Sequence, residues 1–283
     1  MVRKNIFELL EAKYEIKDEM NKIYNFFIKK FIRYQDESGY NFYSPESFFE
    51  EYILRIWKQR YSCIDICEIY QKLNLPTFFN DQTAVEDVIN ALEFYCNVIY
   101  LISTKFDLNN GLFEISDDMR ILNENIQILL DQMHYQKKVF AKEEKLILVP
   151  KNPAATSVAE ISDEETAMAI LMYNHHTLKG DLEAKRKILY SIAKEYEPLL
   201  SKPIDGFKDY FVKATNMLNN LDIRHNNKEG KHKNNLVINL ENDELEKWYD
   251  ELYQLLLFCV LIKDNIERKN NIEEFLKQLK QGA

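Results

Sequence analysis

Apolar residues recur at helical spacing along most of the chain, and capping residues mark where several helices begin. Ser44 and Ser116 each precede such a segment, and a serine side chain in this position accepts hydrogen bonds from the free backbone N–H groups of the first turn. Pro45 fits the first helical position. The strings 83–86 and 162–165 have the spacing of capping boxes. The pattern therefore predicts a predominantly helical protein.

The first half of the chain is expected to form one helical domain, residues 1–152. The spacing predicts a long helix over 4–35 and a shorter helix over 63–73 that ends before Pro76. The pattern changes over 137–151, where two short runs of β-prone residues flank a charged turn. A small β-hairpin is predicted there.

The second half, residues 153–283, is expected to form an antiparallel bundle of amphipathic helices. Pro150 and Pro153 mark the boundary between the two halves. Asp181 is a predicted cap, and a charged helix over 268–281 is predicted to close the chain. The fold class is therefore expected to be all-α, with a helical N-terminal domain that includes a small hairpin, followed by the bundle.

Composition supports this fold class and indicates a cytoplasmic protein. The chain of 283 residues has only six glycines and six prolines, whereas all-β folds need many turn residues. The net charge of −9 excludes nucleic-acid binding through the overall field, so any such binding must be local. Apolar residues surround the four cysteines, which indicates reduced thiols, and no apolar run reaches the length of a membrane span.

One loop concentrates positive charge and histidine in this acidic chain. Between residues 224 and 235, four basic side chains stand against one acidic residue, Glu229. Metal-independent cleavage of an RNA phosphodiester needs a base, an acid and a cation that stabilises the transition state. Arg224 is the expected phosphate clamp, and His232, with His225 as its rival, is the expected proton-transfer group. The residues expected to bind substrate are Asn226, Asn227, Lys228, Lys231 and Lys233.

Other interpretations stay open at this point. The same run could be an ordinary solvated loop whose cations are favoured by the C-terminus of the preceding helix. His175 and His176 are adjacent, and on a helix they would point to different faces, so no shared metal is expected. No metal and no cofactor are expected elsewhere.

The loop also resembles the motif of the HEPN superfamily, whose members are helical bundles and include many ribonucleases. That motif is an arginine, a polar residue and, a few residues later, a histidine; Arg224, His225 and His232 match it. Within the superfamily the chain looks most like AbiJ-type abortive infection proteins. The stretches that carry this likeness are 178–186, 193–198 and 224–227.

The resemblance implies a metal-independent endoribonuclease that acts in abortive infection against bacteriophage. It implies a homodimer in which two copies of the motif face each other, RNA as substrate (tRNA or phage or host transcripts), and a phage-encoded trigger. The late helix with Tyr249, Tyr253 and Phe258 could supply the dimer face or the bundle core. The alternative function is a non-catalytic RNA- or protein-binding scaffold. It is favoured by the gap of seven residues between Arg224 and His232, which is longer than usual in the family.

Overall fold

A computed structural model describes residues 15–37, 39–106, 113–225, 227 and 230–281. These residues are mostly helical and include two small antiparallel sheets. The chain forms two compact units, residues 1–150 and 151–283. The boundary expected from the sequence lay between residues 152 and 153.

The first unit combines helices with both sheets. Its elements are α1 (Ile16–Phe27), β1 (Ile32–Asp36), β2 (Gly39–Tyr43), α2 (Pro45–Phe48), α3 (Ile66–Lys72), α4 (Val85–Lys105), β3 (Phe113–Ile115), α5 (Asp117–Gln132), β4 (Tyr135–Phe140) and β5 (Lys145–Pro150). Between α2 and α3 the chain continues as a π-helical turn, Phe49–Ile53, and two 3₁₀ turns, Leu54–Ile56 and Lys58–Arg60.

A three-stranded antiparallel sheet replaces the C-terminal part of the long helix that the sequence predicted over residues 4–35. The strand order is β2-β1-β3, with Ile32 paired to Tyr43 on one side and to Ile115 on the other. The prediction was wrong from residue 28 onward because Ile32 and Tyr34 satisfy helical spacing yet also suit a strand. Residues 4–14 of the predicted helix lie outside the described residues.

The predicted hairpin is confirmed as β4 and β5, which pair from Tyr135–Pro150 to Phe140–Lys145. Asn97, in the middle of α4, attaches the hairpin to the core. Its side-chain amide donates to the carbonyl of Leu146 at 2.7 Å, and its side-chain oxygen accepts from the N–H of Leu146 at 2.9 Å. Because both groups are buried, this paired arrangement leaves neither without a hydrogen bond.

The capping predictions are confirmed at some helices and corrected at others. Ser44 forms a capping box with Ser47, and the Ser116 side chain accepts from the N–H of Asp118. The box expected over residues 83–86 is wrong: α4 begins after Ala84 without a side-chain cap. The Thr83 hydroxyl instead accepts from the N–H of Asn80 at 3.0 Å.

The described residues of the second unit form helices joined by loops, with no strand among them. Its elements are α6 (Pro153–Glu160), α7 (Glu164–Tyr173), a 3₁₀ turn (His176–Leu178), α8 (Leu182–Glu195), α9 (Glu197–Leu200), α10 (Lys208–Asn220), a 3₁₀ turn (Gly230–His232), α11 (Asn235–Asn239) and α12 (Asn242–Gln281). Asp163 caps α7, and Asp181 caps α8 as predicted.

Contacts with α12 give the directions of α7 and α8. The end of α7 meets the first part of α12, where the Tyr173 hydroxyl donates to Asp250 at 2.9 Å. Asp163, at the start of α7, lines a cavity together with Glu195, at the end of α8. Val260, Lys263 and Asp264 of α12 line the same cavity. Lys185, near the start of α8, bonds to Asp250. Helix α7 is therefore antiparallel to α12, and α8 is parallel to it.

Helix α10 completes the alternation. Near its start, Tyr210 packs edge-on against Phe258 of α12, with ring centroids 5.0 Å apart. Just beyond its end, the Asp222 carbonyl accepts from Arg186, near the start of α8. Helix α10 is therefore antiparallel to both α8 and α12. The four long helices alternate in direction, which is the arrangement of an up-and-down bundle.

A buried lysine joins α8 to α12. The Lys185 ammonium contacts Glu246 at 2.8 Å and Asp250 at 2.7 Å, and it lies 5.1 Å from the centre of the Tyr173 ring. Burial alone would raise the pKa of Glu246, but the N–H of Gly180 and the Lys185 ammonium hold that pKa below its ordinary value. Glu246 therefore stays ionised and completes the ion pair.

Helix α12 is one continuous helix of 40 residues, so the separate final helix predicted over 268–281 is wrong. Tyr249 and Tyr253 are buried in the bundle core, which confirms the core alternative for these two residues. Phe258 is partly exposed and contacts Tyr210. Among the helices described in the two units, none is long and apolar enough to cross a membrane.

Candidate functional site

The loop that follows α10 begins with a reciprocal pair of hydrogen bonds. The N–H of Asp222 donates to the side-chain oxygen of Asn227 at 2.7 Å, and the N–H of Asn227 donates to the Asp222 carboxylate at 2.9 Å. Both residues are buried, with 6% and 2% of their surface exposed. Asp222 has a φ of 61°, a conformation that aspartate tolerates better than most side chains. The pair holds residues 222 and 227 together.

Asn227 also holds the far side of the loop. Its side-chain amide donates to the carbonyl of His232 at 2.8 Å, and its own carbonyl accepts from the N–H of Asn234 at 2.7 Å. The sequence led us to expect Asn227 as a substrate-binding residue. Its side chain is instead engaged within the loop, because a buried amide must satisfy its donors and acceptor internally. Asn227 therefore positions the loop, and its expected role in substrate binding stays a prediction.

This arrangement stacks two histidine rings. The His225 and His232 ring centroids are 4.4 Å apart, and the ring planes differ by 14°. His225 is partly exposed and His232 is exposed, so solvent and ligands reach the pair. The structure therefore brings together two of the three residues that the sequence assigned to catalysis.

The histidine pair faces an open depression on the surface of the second unit. Its lining residues are Asn219, Asn220, His225, Asn227, Lys231, His232, Lys233, Asn234 and Asn235. None of these residues is acidic, and Lys231 and Lys233 are exposed. The depression can therefore accept a polar anion, which two ammonium groups, asparagine amides and imidazole groups would contact.

Arg224 does not line this depression. Its guanidinium pairs with Glu197 at the start of α9, and only 15% of the side chain is exposed. Its backbone N–H donates to the carbonyl of Leu218 at 3.0 Å. The phosphate-clamp role that we expected for Arg224 is thus not available while this ion pair persists. Arg224 instead links the loop to the junction between α8 and α9.

A second arginine, which the sequence analysis did not assign to the site, supports the loop from α8. Arg186 donates to the carbonyl of Asp222 at 3.1 Å and makes two contacts with Glu183, at 3.1 Å and 3.2 Å. The spacing of Glu183 and Arg186, three positions apart on one helix, is a sequence signal for their mutual pairing. The long-range bond to Asp222 has no such signal.

Electrostatics beneath the loop keep one phenol neutral. Burial, followed by the nearby Asp222 carboxylate, raises the pKa of Tyr249 to about 12. Tyr249 is therefore a neutral side chain in the vicinity of Asp222. It supplies no proton-transfer group near neutral pH.

Two of the expected substrate-binding residues, Asn226 and Lys228, lie outside the described residues. A different expectation is corrected: His175 and His176 do not lie on the α-helix, because His175 follows its end and His176 begins a 3₁₀ turn. Helix α7 ends at Tyr173, and the two imidazole centroids are 4.3 Å apart rather than on different faces. The His175 ring bonds to the Thr177 hydroxyl at 2.7 Å.

No known protein family, curated protein or solved structure matches this chain. The resemblance to the HEPN superfamily therefore stays a prediction, and so do the dimer, substrate and trigger that it implies.

Proposed function

We propose that the protein is a metal-independent endoribonuclease whose proton-transfer groups are His225 and His232. The observation that carries the proposal is the stacked imidazole pair in a depression whose described lining residues include two lysines and no carboxylate. RNA is the expected substrate because its phosphodiester is anionic and carries its own nucleophile, the adjacent 2′-hydroxyl.

In the proposed reaction, one imidazole acts as the general base and the other as the general acid. One neutral imidazole takes the proton of the 2′-hydroxyl as its oxygen attacks phosphorus, and the protonated imidazole gives a proton to the departing 5′-oxygen. The P–O5′ bond breaks, which leaves a 2′,3′-cyclic phosphate on one fragment and a 5′-hydroxyl on the other. Lys231 and Lys233 stabilise the negative charge that grows on the phosphoryl oxygens.

Arg224 has a different role in this proposal from the clamp expected at first. Its partner Glu197 holds it away from the depression, so Arg224 contributes to the shape of the loop. Only displacement of Glu197 would free its guanidinium to bind phosphate. Loss of Arg224 is therefore expected to disturb folding of the loop as well as activity.

The setting that we propose for this activity is abortive infection against bacteriophage, and it rests on the resemblance to AbiJ-type proteins. In that setting the enzyme is a toxin-like effector, and a phage component triggers it. The substrate class is tRNA or phage or host transcripts. The histidine chemistry is the same for each of these RNAs.

The test is cleavage of total RNA in EDTA by the full chain and by His225→Ala and His232→Ala. We expect cleavage by the wild type, 2′,3′-cyclic phosphate ends, and at least roughly 100-fold slower cleavage by either variant. The matched control is His134→Asn, because His134 is exposed in the first unit and has a φ of 58°, which asparagine tolerates. Products with 3′-hydroxyl ends, or full activity in both histidine variants, would contradict the proposal.

One observation favours a second candidate, a non-catalytic RNA-binding scaffold. The ion pair between Arg224 and Glu197 removes the most strongly phosphate-binding side chain from the depression. A scaffold predicts that the full chain binds RNA in EDTA without cleaving it, and that Lys231→Ala and Lys233→Ala weaken this binding. It also predicts that the RNA stays uncleaved with the wild type and with both histidine variants.

A further inference from the structure

The last part of α12 has an apolar face that the described chain leaves uncovered. The face consists of Ile272, Phe275, Leu276 and Leu279, which are 59%, 58%, 49% and 53% exposed. Their spacing of three, one and three residues places them along one side of the helix. Four large apolar side chains in one contiguous patch indicate a surface that binds another molecule.

This segment extends past the packed part of the bundle. Ile262 is the last residue of α12 in the buried core, and all described side chains from residue 267 to residue 280 are exposed. An isolated helix of this length is only marginally stable in water, and most helices in proteins are stabilised by packing of their apolar side. Packing against another molecule would therefore stabilise this segment, since the described residues of its own unit do not cover it.

Charge identifies the occupant of this face. Glu273 and Lys280 are seven residues apart, two helical turns, and so lie on the same flank of the face. Two copies aligned in parallel would place this flank against the opposite flank of the partner, where Asn271 and Gln278 lie, so neither charge would meet an opposite charge. Two antiparallel copies would place each Glu273 beside the Lys280 of the other copy, which is favourable.

We propose that residues 267–280 pair with the same residues of a second copy of this chain as two antiparallel helices. Centred between Phe275 and Leu276, the pairing sets Ile272 opposite Leu279 and Phe275 opposite Leu276, twice over by symmetry. All four apolar side chains of each copy then become buried. The inference does not rest on the proposed ribonuclease activity, because it concerns a surface remote from the histidine pair.

The charge balance disfavours a membrane surface as the occupant. Residues 267–280 contain four basic and three acidic side chains, so the segment is nearly neutral. Helices that lie on anionic membranes have a strongly basic polar side. The alternation of both signs suits a protein helix of the same kind better.

Mass measured as a function of concentration tests the pairing. We expect the full chain to shift from monomer to dimer between roughly 1 and 100 µM, the range suited to so small an interface. Leu276→Glu places two charges in the centre of the interface and should raise the dissociation constant at least roughly 100-fold. Ile128→Glu, at an exposed apolar position on α5, is the matched control and should leave the dimer intact.

Charge reversal tests the orientation and the identity of the partner. Glu273→Lys and Lys280→Glu should each weaken the dimer, and the double variant should restore it, because the two charges exchange places across the interface. A wild-type chain that stays monomeric over the whole range overturns the proposal. So does a dimer that survives Leu276→Glu, or a double variant that is no tighter than the single ones. Binding of the monomer to anionic vesicles through this segment would assign the face to a membrane instead.

Discussion

A single buried amide, that of Asn227, organises the candidate site at the scale of individual residues. It joins Asp222, just beyond the end of α10, to His232, the last residue of the second 3₁₀ turn of this unit. The stacked histidines depend on this connection, because His225 and His232 lie on opposite sides of Asn227 in the sequence. A buried residue therefore determines the geometry of the two histidines that the proposed reaction uses.

Asn227→Ala is expected to release both sides of the loop. The variant loses the acceptor for the N–H of Asp222 and the donor to the His232 carbonyl, so the free energy of unfolding should fall by about 1–3 kcal/mol. Hydrogen exchange at the Asp222 amide should accelerate, because that N–H loses its partner. Urea unfolding and amide exchange measured by mass spectrometry check the two effects.

Asn220→Ala serves as the control for this substitution. Asn220 is exposed and lines the same depression, and among the described residues its side chain bonds to the Asn216 carbonyl of its own helix. It should change neither stability nor exchange at Asp222 appreciably. Equal exchange rates in the two variants would show that the Asn227 side chain does not hold the loop.

At the scale of elements, the start of α7 depends on Asp163, and this dependence changes with pH. The N–H of Thr166 donates to the Asp163 carboxylate at 3.0 Å and, as the largest cause, holds its pKa below the ordinary value of 3.8. A lowered pKa means that the folded protein favours the charged carboxylate. The contribution is therefore complete above the ordinary pKa and is lost as the pH falls through the folded value.

Asp163→Ala should lower the melting temperature by about 2–4 °C at pH 7. The difference from the wild type should shrink between about pH 5 and pH 2, because the wild-type carboxylate becomes protonated there. Asp205→Ala, at an exposed loop position, is the control and should show no such change with pH. A difference that stays constant down to pH 2 would mean that the charge of Asp163 does not stabilise the helix.

Local signals predicted helix starts and the hairpin well, because a cap or a turn involves residues that are neighbours in the sequence. Even at a helix start, the residue that caps the helix can differ from the one that the sequence indicates. Ser162 was expected to begin the capping box, but its hydroxyl bonds to the Val158 carbonyl at 2.6 Å and Asp163 takes the cap. Competing local hydrogen bonds of similar strength decide such cases.

The three-stranded sheet could not be predicted from the same signals. Its third strand, β3, lies far along the chain: Arg33 of β1 pairs with Glu114 of β3, 81 residues away. A strand becomes favourable only when its partner is present, whereas helical spacing is visible in one segment. The site shows the same limit: the sequence located the basic loop, but it could not show that Glu197 would take Arg224 away from the histidines.

At the scale of the whole molecule, α12 separates the histidine loop from the uncovered apolar face. The loop lies at the end of the bundle where α12 begins, since Asp222 acts on Tyr249 there. The apolar face begins at Ile272, 30 residues after Asn242, which is about 45 Å along a straight helix. Antiparallel pairing of two such faces would place the two loops about 100 Å apart. This differs from the dimer that the family resemblance implies, in which two motifs face each other.

The two dimers predict different effects of dilution on the rate of cleavage per chain. If the apolar face forms the interface, each loop acts alone, and the rate of RNA cleavage per chain should be the same for dimer and monomer. The initial rate per chain should then be equal for the wild type and Leu276→Glu from about 1 to 100 µM. His225→Ala supplies the background rate. A wild-type rate per chain that falls on dilution, together with an inactive Leu276→Glu variant, would instead show that two loops must meet. In that case α12 could not pair antiparallel through its last turns, because that geometry keeps the loops apart.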